Sequence, residues 1–352
     1  MHLNEERTHQ RFNNQISLFN FILILTTLLV LFLCLSGCIP KGIESKEGKP
    51  IKIGINIWPG YAHAFIALYK GFFKNNGVNV ELVLCKEYSE SQNLYMNGDV
   101  DGIFGVFADV IIYNSQGIKT KVVYISDYSE SADVIIADPI YSSLVDLKDK
   151  KIGIESINSF SHLFVLEVFE KAGISEVDLQ FEIVPSQQIL RALEENKVEA
   201  GHTWNPMKAA ALNKGYKVVG KAGDVPGIIT DVLSFNSKII EERPADILAI
   251  VKSMSEAKNY LDENMEDALQ IMAMYESISI EEMKQGINEI YQLNLQDNLS
   301  ATKPSKEITS LYGSGAIISE FYLNRGQLMG MPDFNEIIDS SFINKIFEVK
   351  LK

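Results

Sequence analysis

The sequence predicts an α/β protein made of two lobes with related topology. Strand-like runs of Ile, Val and Leu alternate with helical patterns along most of the chain. The stretch NGDVDGIFGVFAD (97–109) has a weaker echo, ENKVEAGHTWNP (195–206), at a shift of 98 positions. KIGIN (52–56) likewise returns as KIGIE (151–155). We interpret these echoes as two tandem units of one plan, the alternative being chance likeness between β-α-β units.

The N-terminus predicts a lipoprotein signal peptide over residues 1–37. Residues 16–37 form an uncharged apolar run, which two arginines precede and which leads into Cys38 through Leu-Ser-Gly. This ending resembles a lipobox, in which Cys38 receives a lipid and becomes the first residue of the mature chain. The alternative is a single transmembrane anchor, because the run is long enough to span a bilayer. In both cases the rest of the chain lies outside the cytoplasm, and residues 38–50 form a polar tether.

Composition restricts the function further. The formal net charge is -14, which argues against nucleic acid as a partner. The 315 residues from Cys38 to Lys352 suggest about two domains, and we expect a monomer. Cys85 is the one cysteine after Cys38, so we expect no disulfide framework, no cysteine metal site and no cofactor. We interpret Cys85 as an inert buried thiol at a strand end.

The elements follow in order along the first unit. A strand over 51–57 ends at Trp58-Pro59-Gly60 and a helix over 62–74 follows it. Further strands are predicted at 79–85, 101–107 and 121–127, and further helices at 89–97 and 109–116. We expect Asp109 to act as the cap of the last of these helices.

A second unit and a helical C-terminal region complete the chain. The second unit has predicted strands at 132–138, 150–156, 179–185, 199–204 and 216–222, and predicted helices at 160–172, at 186–196 and after Pro206. A strand over 232–236 precedes helices over 243–262, 264–276 and 280–291 and an amphipathic tail over 315–352. We therefore assign 51–131 and 232–352 to lobe 1 and 132–231 to lobe 2, with mainly parallel sheets.

This arrangement predicts where a ligand binds. In open parallel sheets, ligands bind beyond the carboxyl ends of the strands. Chain crossings near 127–133 and 229–235 would bring the strand ends of both lobes to one cleft and act as a hinge.

Three groups of side chains are candidates for contacting the ligand. Aromatic residues follow predicted strands, and their alternative role is packing; they are Trp58, Tyr61, Phe107 and Trp204. Polar residues lie where a helix begins, with capping as the alternative; they are Ser159, Ser161 and His162. Asp127 and Asp231 lie at the crossings with Asp133, the alternative being solvated hinge charges.

These candidates bear on the charge of the ligand. None of the three arginines after the leader lies in an expected strand-end loop, although an oxyanion site usually requires Arg or several N–H donors. Aromatic faces and carboxylates together attract cations. We therefore expect a small cationic, zwitterionic or heteroaromatic nitrogen compound rather than nitrate.

Several motifs in order carry a family resemblance. They are Trp58-Pro59-Gly60, KGFFKNNGVNVEL (70–82), NGDVDGIFG (97–105), DYSESADVII (127–136), LVDLKDKKIGIE (144–155), SFSHLFVLEVFEKAGI (159–174) and VEAGHTWNP (198–206). Over about 51–300 the chain resembles the solute-binding lipoproteins of ABC importers of the nitrate/taurine/alkanesulfonate type, which include binders of thiamine-pyrimidine precursors. The resemblance implies the type 2 periplasmic-binding fold, a small-molecule solute, a membrane permease as partner and no catalysis. Asn205 stands where the family commonly has Glu, so no role of that acid is carried over.

Other functions stay open at this point. A sensor lipoprotein that signals to a membrane kinase would use the same fold. An enzyme related to thiamine-precursor synthases is less favoured, because the chain lacks their Cys-rich stretch. Metal binding by His63, His162 and His202 is disfavoured, because they lie on separate segments without the usual spacing of ligands.

Overall fold

The computed structural model describes residues 48–350. The predicted signal peptide, the lipidation site Cys38 and the first part of the predicted tether lie outside the described residues. Within the described part of the chain, no helix has both the length and the apolar character needed to cross a bilayer.

Eleven strands form two sheets in the described residues. They are β1 (Ile51–Asn56), β2 (Val80–Cys85), β3 (Gly102–Val106), β4 (Thr120–Ser129), β5 (Val134–Ala137), β6 (Lys151–Ile154), β7 (Gln180–Ile183), β8 (Ala200–Thr203), β9 (Lys217–Lys221), β10 (Thr230–Asn236) and β11 (Ile290–Gln292). The first sheet has the order β11-β4-β10-β3-β1-β2, and the second has the order β7-β6-β8-β5-β9.

Fifteen α-helices cover these sheets in the described residues. They are α1 (His63–Tyr69), α2 (Phe72–Asn75), α3 (Tyr88–Met96), α4 (Phe107–Ser115), α5 (Phe160–Lys171), α6 (Ile189–Glu194), α7 (Met207–Asn213), α8 (Ser237–Glu242), α9 (Pro244–Glu263), α10 (Met265–Glu276), α11 (Ile280–Ile287), α12 (Leu295–Ala301), α13 (Leu311–Asn324), α14 (Phe334–Ile337) and α15 (Ser341–Lys350). Single 3₁₀ turns lie at Leu144–Leu147, Glu176–Asp178, Ser186–Gln188 and Ala222–Asp224.

The predicted fold class is confirmed. The first sheet, with its helices, forms lobe 1 and the second sheet forms lobe 2. The chain leaves lobe 1 from β4 into β5 and returns from β9 into β10, and the helices α9 to α15 form the C-terminal region. The residue limits given above for the lobes stay a prediction.

The prediction of mainly parallel sheets is wrong. β1 pairs in parallel with β2 and β3, and β6 pairs in parallel with β7 and β8. However, β10 is antiparallel to β3 and β4, β11 is antiparallel to β4, and β5 is antiparallel to β8 and β9. The strands that follow the crossings, β5 and β10, therefore run against the β-α-β strands. Strand composition does not encode this direction, because it depends on how the lobes are connected.

Two predicted helices differ in the structure. The helix expected over 62–74 is divided into α1 and α2 at Gly71, which has a φ of 74°, a left-handed conformation that ends a helical turn. The helix expected over 280–291 ends at Ile287, and residues 290–292 form the edge strand β11 on β4. Pairing with an available sheet edge replaces the last helical turn.

The core of lobe 1 explains why β1 holds its position. Ile51, Ile53 and Ile55 share one face and are at most 1% exposed, and Gly54 and Asn56 on the other face are buried too, so the strand is covered on both faces. α1 packs over this region against α9 and α10. The loop after β1, which carries Trp58 and Tyr61, is thereby fixed against a closed core. Burial of each such side chain contributes about 1.5–3 kcal/mol.

Candidate functional site

A small cavity lies where the two lobes meet at the strand ends. Its volume is about 20 Å³, which is room for about one water molecule in this closed arrangement. Lobe 1 contributes Asn56, Trp58, Tyr61, Tyr88 and Val106; the crossings contribute Asp133, Ile229 and Asp231; lobe 2 contributes Phe160 and Trp204.

Aromatic rings from both lobes meet around this cavity. Trp58 and Trp204 lie edge to face with their ring centroids 6.3 Å apart. Phe160 lies 6.3 Å from Trp204 and 5.6 Å from Tyr88, again measured between ring centroids. The wall of the cavity is thus an aromatic cage with contributions from both sides of the hinge, a geometry that suits a flat or cationic group.

Two aspartates on the crossing strands lie at the site, where Asp231 lines the cavity and Asp127 lies behind Trp58. Asp127 of β4 and Asp231 of β10 are register partners, and they are 0% and 2% exposed. The Trp58 indole Nε1 donates to Asp127 Oδ1 at 3.2 Å, and the Tyr61 hydroxyl donates to Asp231 Oδ1. The Trp58-Pro59-Gly60-Tyr61 loop thereby orients both carboxyl groups.

Burial raises the pKa of both carboxyl groups. The pKa of Asp127 rises to about 8 because the group is desolvated. Desolvation and then the nearby charge of Asp127 raise the pKa of Asp231 well above its usual value. The described residues that line the cavity include neither Lys nor Arg. A cation close to the two carboxyl groups would relieve both effects.

A second polar group orients Asp133 beside the cavity. His202 Nε2 lies 2.9 Å from Asp133 Oδ1, and His202 Nδ1 lies 2.8 Å from Ser161 Oγ. Ser161 Oγ also accepts the Glu155 backbone N–H, so its own proton is free to go to Nδ1. We assign the Nε2–H tautomer to His202 on this basis, which makes the imidazole a donor to Asp133.

Four lining side chains each have a buried polar atom without a partner among the described residues. Three of these atoms are acceptors and one is a donor: Asn56 Oδ1, Asp133 Oδ2, Asp231 Oδ2 and Trp204 Nε1. Buried polar atoms are normally hydrogen-bonded, and each exception calls for an explanation. A ligand that donates several N–H bonds and accepts one would satisfy this set.

The structure brings together part of the predicted site. Trp58, Tyr61, Trp204 and Asp231 line the cavity. Asp127 lies directly behind Trp58. Ser161 does not line the cavity but hydrogen-bonds His202, which in turn bonds the lining residue Asp133. Ser159 caps α5 by accepting the His162 backbone N–H at 3.3 Å.

Phe107 and His162 lie away from the cavity. Phe107 starts α4 and is fully buried against Phe334 in lobe 1, so it does not face Trp204 across the cleft. His162 packs against Phe181 with ring centroids 4.5 Å apart, and burial lowers its pKa to about 4. Both side chains are therefore packed in the protein core. The described residues contain no cluster of His, Cys, Asp or Glu placed to hold a metal.

Sequence reasoning missed five lining residues, which are Asn56, Tyr88, Val106, Phe160 and Ile229. Asn56 had a signal, because it is a polar residue that ends an apolar strand. Tyr88 had none, because its place is set by a tertiary contact. Its hydroxyl donates to Asp109 at 2.6 Å. Asp109 is therefore a buried acceptor inside α4 and not the predicted cap, since the helix begins two residues earlier.

Gly60 gives the first prediction. A β-carbon at this position would collide with the Asp127 carboxylate, so the loop can approach Asp127 only because residue 60 lacks a side chain. We expect Gly60→Ala to displace Trp58 from Asp127 and to lower stability by about 1–3 kcal/mol. Urea denaturation with tryptophan fluorescence measures both effects. Gly330→Ala is the control, because Gly330, like Gly60, lacks a positive φ, and a β-carbon added there has no neighbour within 4 Å. A Gly60→Ala protein with native fluorescence and stability would contradict this explanation.

Solved structures of similar fold include binding proteins and an enzyme. The ligand-binding component of an ABC-type import system from Staphylococcus aureus, solved with zinc bound, is 16% identical, with a TM-score of 0.69 over 85% of this chain and 99% of that chain. The periplasmic nitrate-binding protein NrtA from Synechocystis PCC 6803 is 14% identical, with a TM-score of 0.69 over 86% of this chain and 89% of that chain. The desulfurization enzyme DSZB also shares the fold, at 12% identity and a TM-score of 0.65 over 86% of this chain and all of that chain.

Sequence comparison also finds similarity to a binding protein. A putative binding protein of Brucella abortus is 22% identical over 292 residues, which are 81% of this chain and 84% of the relative. The profile of the NMT1-like family matches residues 44–275, which is more than half of the chain. The protein therefore belongs to the NMT1-like family.

Proposed function

We propose that the protein is the extracytoplasmic solute-binding component of an ABC importer. It captures a small nitrogen- or sulfur-containing organic solute in the cleft by hinge closure and delivers it to a membrane permease. The observation that carries this proposal is the cavity between the lobes. Aromatic rings from both lobes and the buried aspartates Asp133 and Asp231 surround this small volume. Similarity to import proteins supports the same function.

The chemistry of the cavity favours a cationic, zwitterionic or heteroaromatic nitrogen compound. Asp231 and Asp133 present free carboxylate oxygens, and Trp204 presents a free indole N–H. Nitrate or a sulfonate would need cationic partners that the described lining residues do not provide. A planar group rich in N–H donors would satisfy the acids and lie against the aromatic rings.

Hinge closure follows from the contacts that bridge the lobes. Phe160 and Trp204 of lobe 2 close the cavity over Trp58 and Tyr88 of lobe 1. A solute can enter only when these rings separate, because the remaining volume is about 20 Å³. The β4–β5 and β9–β10 crossings are the segments about which the lobes would separate.

Anchoring at Cys38 fits this function. A lipid on Cys38 would hold the protein at the outer face of the cell membrane, beside its permease, and a monomer suffices for this role. A sensor protein that signals to a kinase would use the same cleft, and a pull-down that recovers a permease and not a kinase discriminates between the two.

An enzyme is the less favoured alternative, although DSZB has this fold. The cysteine of the described residues, Cys85, lies outside the cavity. Burial raises its thiol pKa to about 11, so it is a poor nucleophile. We therefore propose binding without chemical change of the solute, which mass spectrometry of the recovered ligand tests directly.

A thermal-shift screen of the leaderless protein against small nitrogen and sulfur compounds is the main test. A true ligand at a hundred times its dissociation constant adds about 2.7 kcal/mol to stability. We expect Trp204→Ala to abolish this gain, because the residue closes the cavity. Phe107→Leu is the matched control, since it alters a buried aromatic residue outside the cavity and should keep the gain. Tight binding of nitrate or sulfonates, with no response to amines or amidines, would overturn the proposed ligand class.

A further inference from the structure

Asp127 and Asp231 form a buried acid pair, of which Asp231 lines the cavity. They are register partners on antiparallel strands, and the two carboxyl groups are close enough for one to hydrogen-bond the other when one is protonated. Together they are at most 2% exposed. Two ionised carboxylates this close and this buried repel each other strongly, so such a pair retains a proton.

The surroundings of the pair do not neutralise it. Neutral donors hold one side, namely the Trp58 indole and the Tyr61 hydroxyl. The other titratable groups that act on the pair are acidic or phenolic, and they are Asp133 before β5 and Tyr124 on β4. The Lys208 ammonium, which belongs to α7, is directed to Ser131 O and Glu289. The proton is therefore the only positive charge that the described residues leave to the pair.

One oxygen of the pair is available to a ligand. Asp231 Oδ2 is buried and without a partner in the described residues, and Asp231 lines the cavity. In the absence of a ligand, the retained proton supplies the positive charge. A cationic ligand that donates an N–H hydrogen bond to this oxygen would supply that charge instead.

We propose that the Asp127–Asp231 pair is the cation subsite of the cleft and that a cationic ligand replaces the proton shared by the two carboxyl groups. This rests on the proposed function and specifies the chemistry of its site. The pair changes from a charge of about -1 to about -2, the ligand brings its positive charge, and the proton passes to the solvent buffer. Closure of the cleft is thereby coupled to ligand charge, because a neutral solute of equal shape cannot displace the proton.

Guanidinium and urea are matched probes for this exchange, since they have similar size and planarity and differ in charge. Calorimetric titration of the leaderless protein near neutral pH, in two buffers that differ in ionisation enthalpy, counts the protons released. We expect millimolar guanidinium to bind with release of about one proton and urea not to bind. The affinity for guanidinium should rise by about tenfold per pH unit while the pair still holds its proton.

Two variants make the test specific. The double variant Asp127→Asn, Asp231→Asn keeps the shapes of both side chains and removes both carboxyl groups that can hold the exchangeable proton, so proton release and the pH dependence should both disappear. Asp267→Asn is the control, because it removes an exposed acid that pairs with Lys70 far from the cleft, and it should bind guanidinium as the unmodified protein does. The fluorescence of Trp58 and Trp204, the two tryptophans of the sequence, gives an independent readout. Without ligand it should show a pH step that the double variant Asp127→Asn, Asp231→Asn abolishes.

The outcomes separate this inference from the proposed function. Guanidinium binding without proton release, equal binding of urea, no binding of guanidinium, or no fluorescence step would each overturn the proton exchange. The proposed function would survive each of these results if the thermal-shift screen identified a nitrogen compound whose gain depends on Trp204.

Discussion

Raising the pH from about 7 to about 9 is expected to destabilise the folded protein. Burial raises the pKa of the carboxyl groups of Asp109, Asp127 and Glu276 to about 7, 8 and 8. In the unfolded chain these groups are ionised throughout this range, so the folded state binds more protons. Stability from a raised carboxyl pKa is fully present below the unfolded pKa and is lost as the pH rises through the folded pKa.

The size of this effect is large for a pH change. As the pH rises, each buried carboxyl group that still keeps its proton lowers the free energy of unfolding by on the order of 1 kcal/mol per pH unit. Histidine acts in the opposite direction at lower pH, because burial lowers the pKa of His63 to about 3 and of His162 to about 4. Above about pH 7 both imidazoles are neutral in the folded and unfolded states, so the carboxyl groups dominate.

Urea denaturation at a series of pH values measures this dependence. Glu276 offers the cleanest variant, because its Oε1 accepts the Trp58 backbone N–H at 3.2 Å while its Oε2 has no partner in the described residues. Glu276→Gln should keep that bond and flatten the profile by the contribution of one proton. Asp267→Asn, on the surface, should leave the slope unchanged. A stability that stays constant or rises above neutral pH would show that these groups are ionised in the folded protein.

Local patterns were sufficient to predict the lobes but not the pairing of their strands. The β1 and β6 segments, IKIGIN and KIGI, are mainly apolar runs followed by turns, and this pattern predicts both strands. The directions of β5 and β10 depend on which neighbours the crossings bring alongside them. The three-residue strand β11 forms because β4 has a free edge, and the preceding helical pattern does not contain this information.

The residues of the candidate site were likewise predicted only in part. Trp58 and Trp204 were predicted to contact the ligand because each closely follows a strand, and ligands bind beyond the carboxyl ends of parallel strands. Phe160 was not, although it lies between two predicted residues, because only the rotation of α5 decides that Phe160 lines the cavity while His162 is buried against Phe181. A cavity between lobes depends on side-chain directions on both of them, and these are fixed by packing.

A bridge on the rim of the cleft gives the second large prediction. Lys208 of lobe 2 lies 2.7 Å from Glu289 of lobe 1, and their side chains are 6% and 12% exposed. We expect Lys208→Met to cost about 3–5 kcal/mol, because it leaves the Glu289 carboxylate buried without its cation. The double variant with Glu289→Gln should recover much of this loss, and a double-mutant cycle in urea gives the coupling energy. A single variant within about 1 kcal/mol of the unmodified protein would contradict the role of this bridge.

Asn205 completes this bridge and explains why an amide suits this chain. Its Nδ2 donates to Glu289 Oε2 at 2.9 Å, so a carboxylate at position 205 would face a second carboxylate across the cleft. We expect Asn205→Glu to weaken closure, seen as a larger radius of gyration in small-angle scattering and a lower stability, whereas Asn205→Gln should retain both. Adding Glu289→Gln to Asn205→Glu should restore closure, because the repulsion then disappears. If Asn205→Glu closed as well as the unmodified protein, Lys208 alone would account for the bridge. Residue 205 would then have no effect on closure, either as Asn or when replaced by Glu.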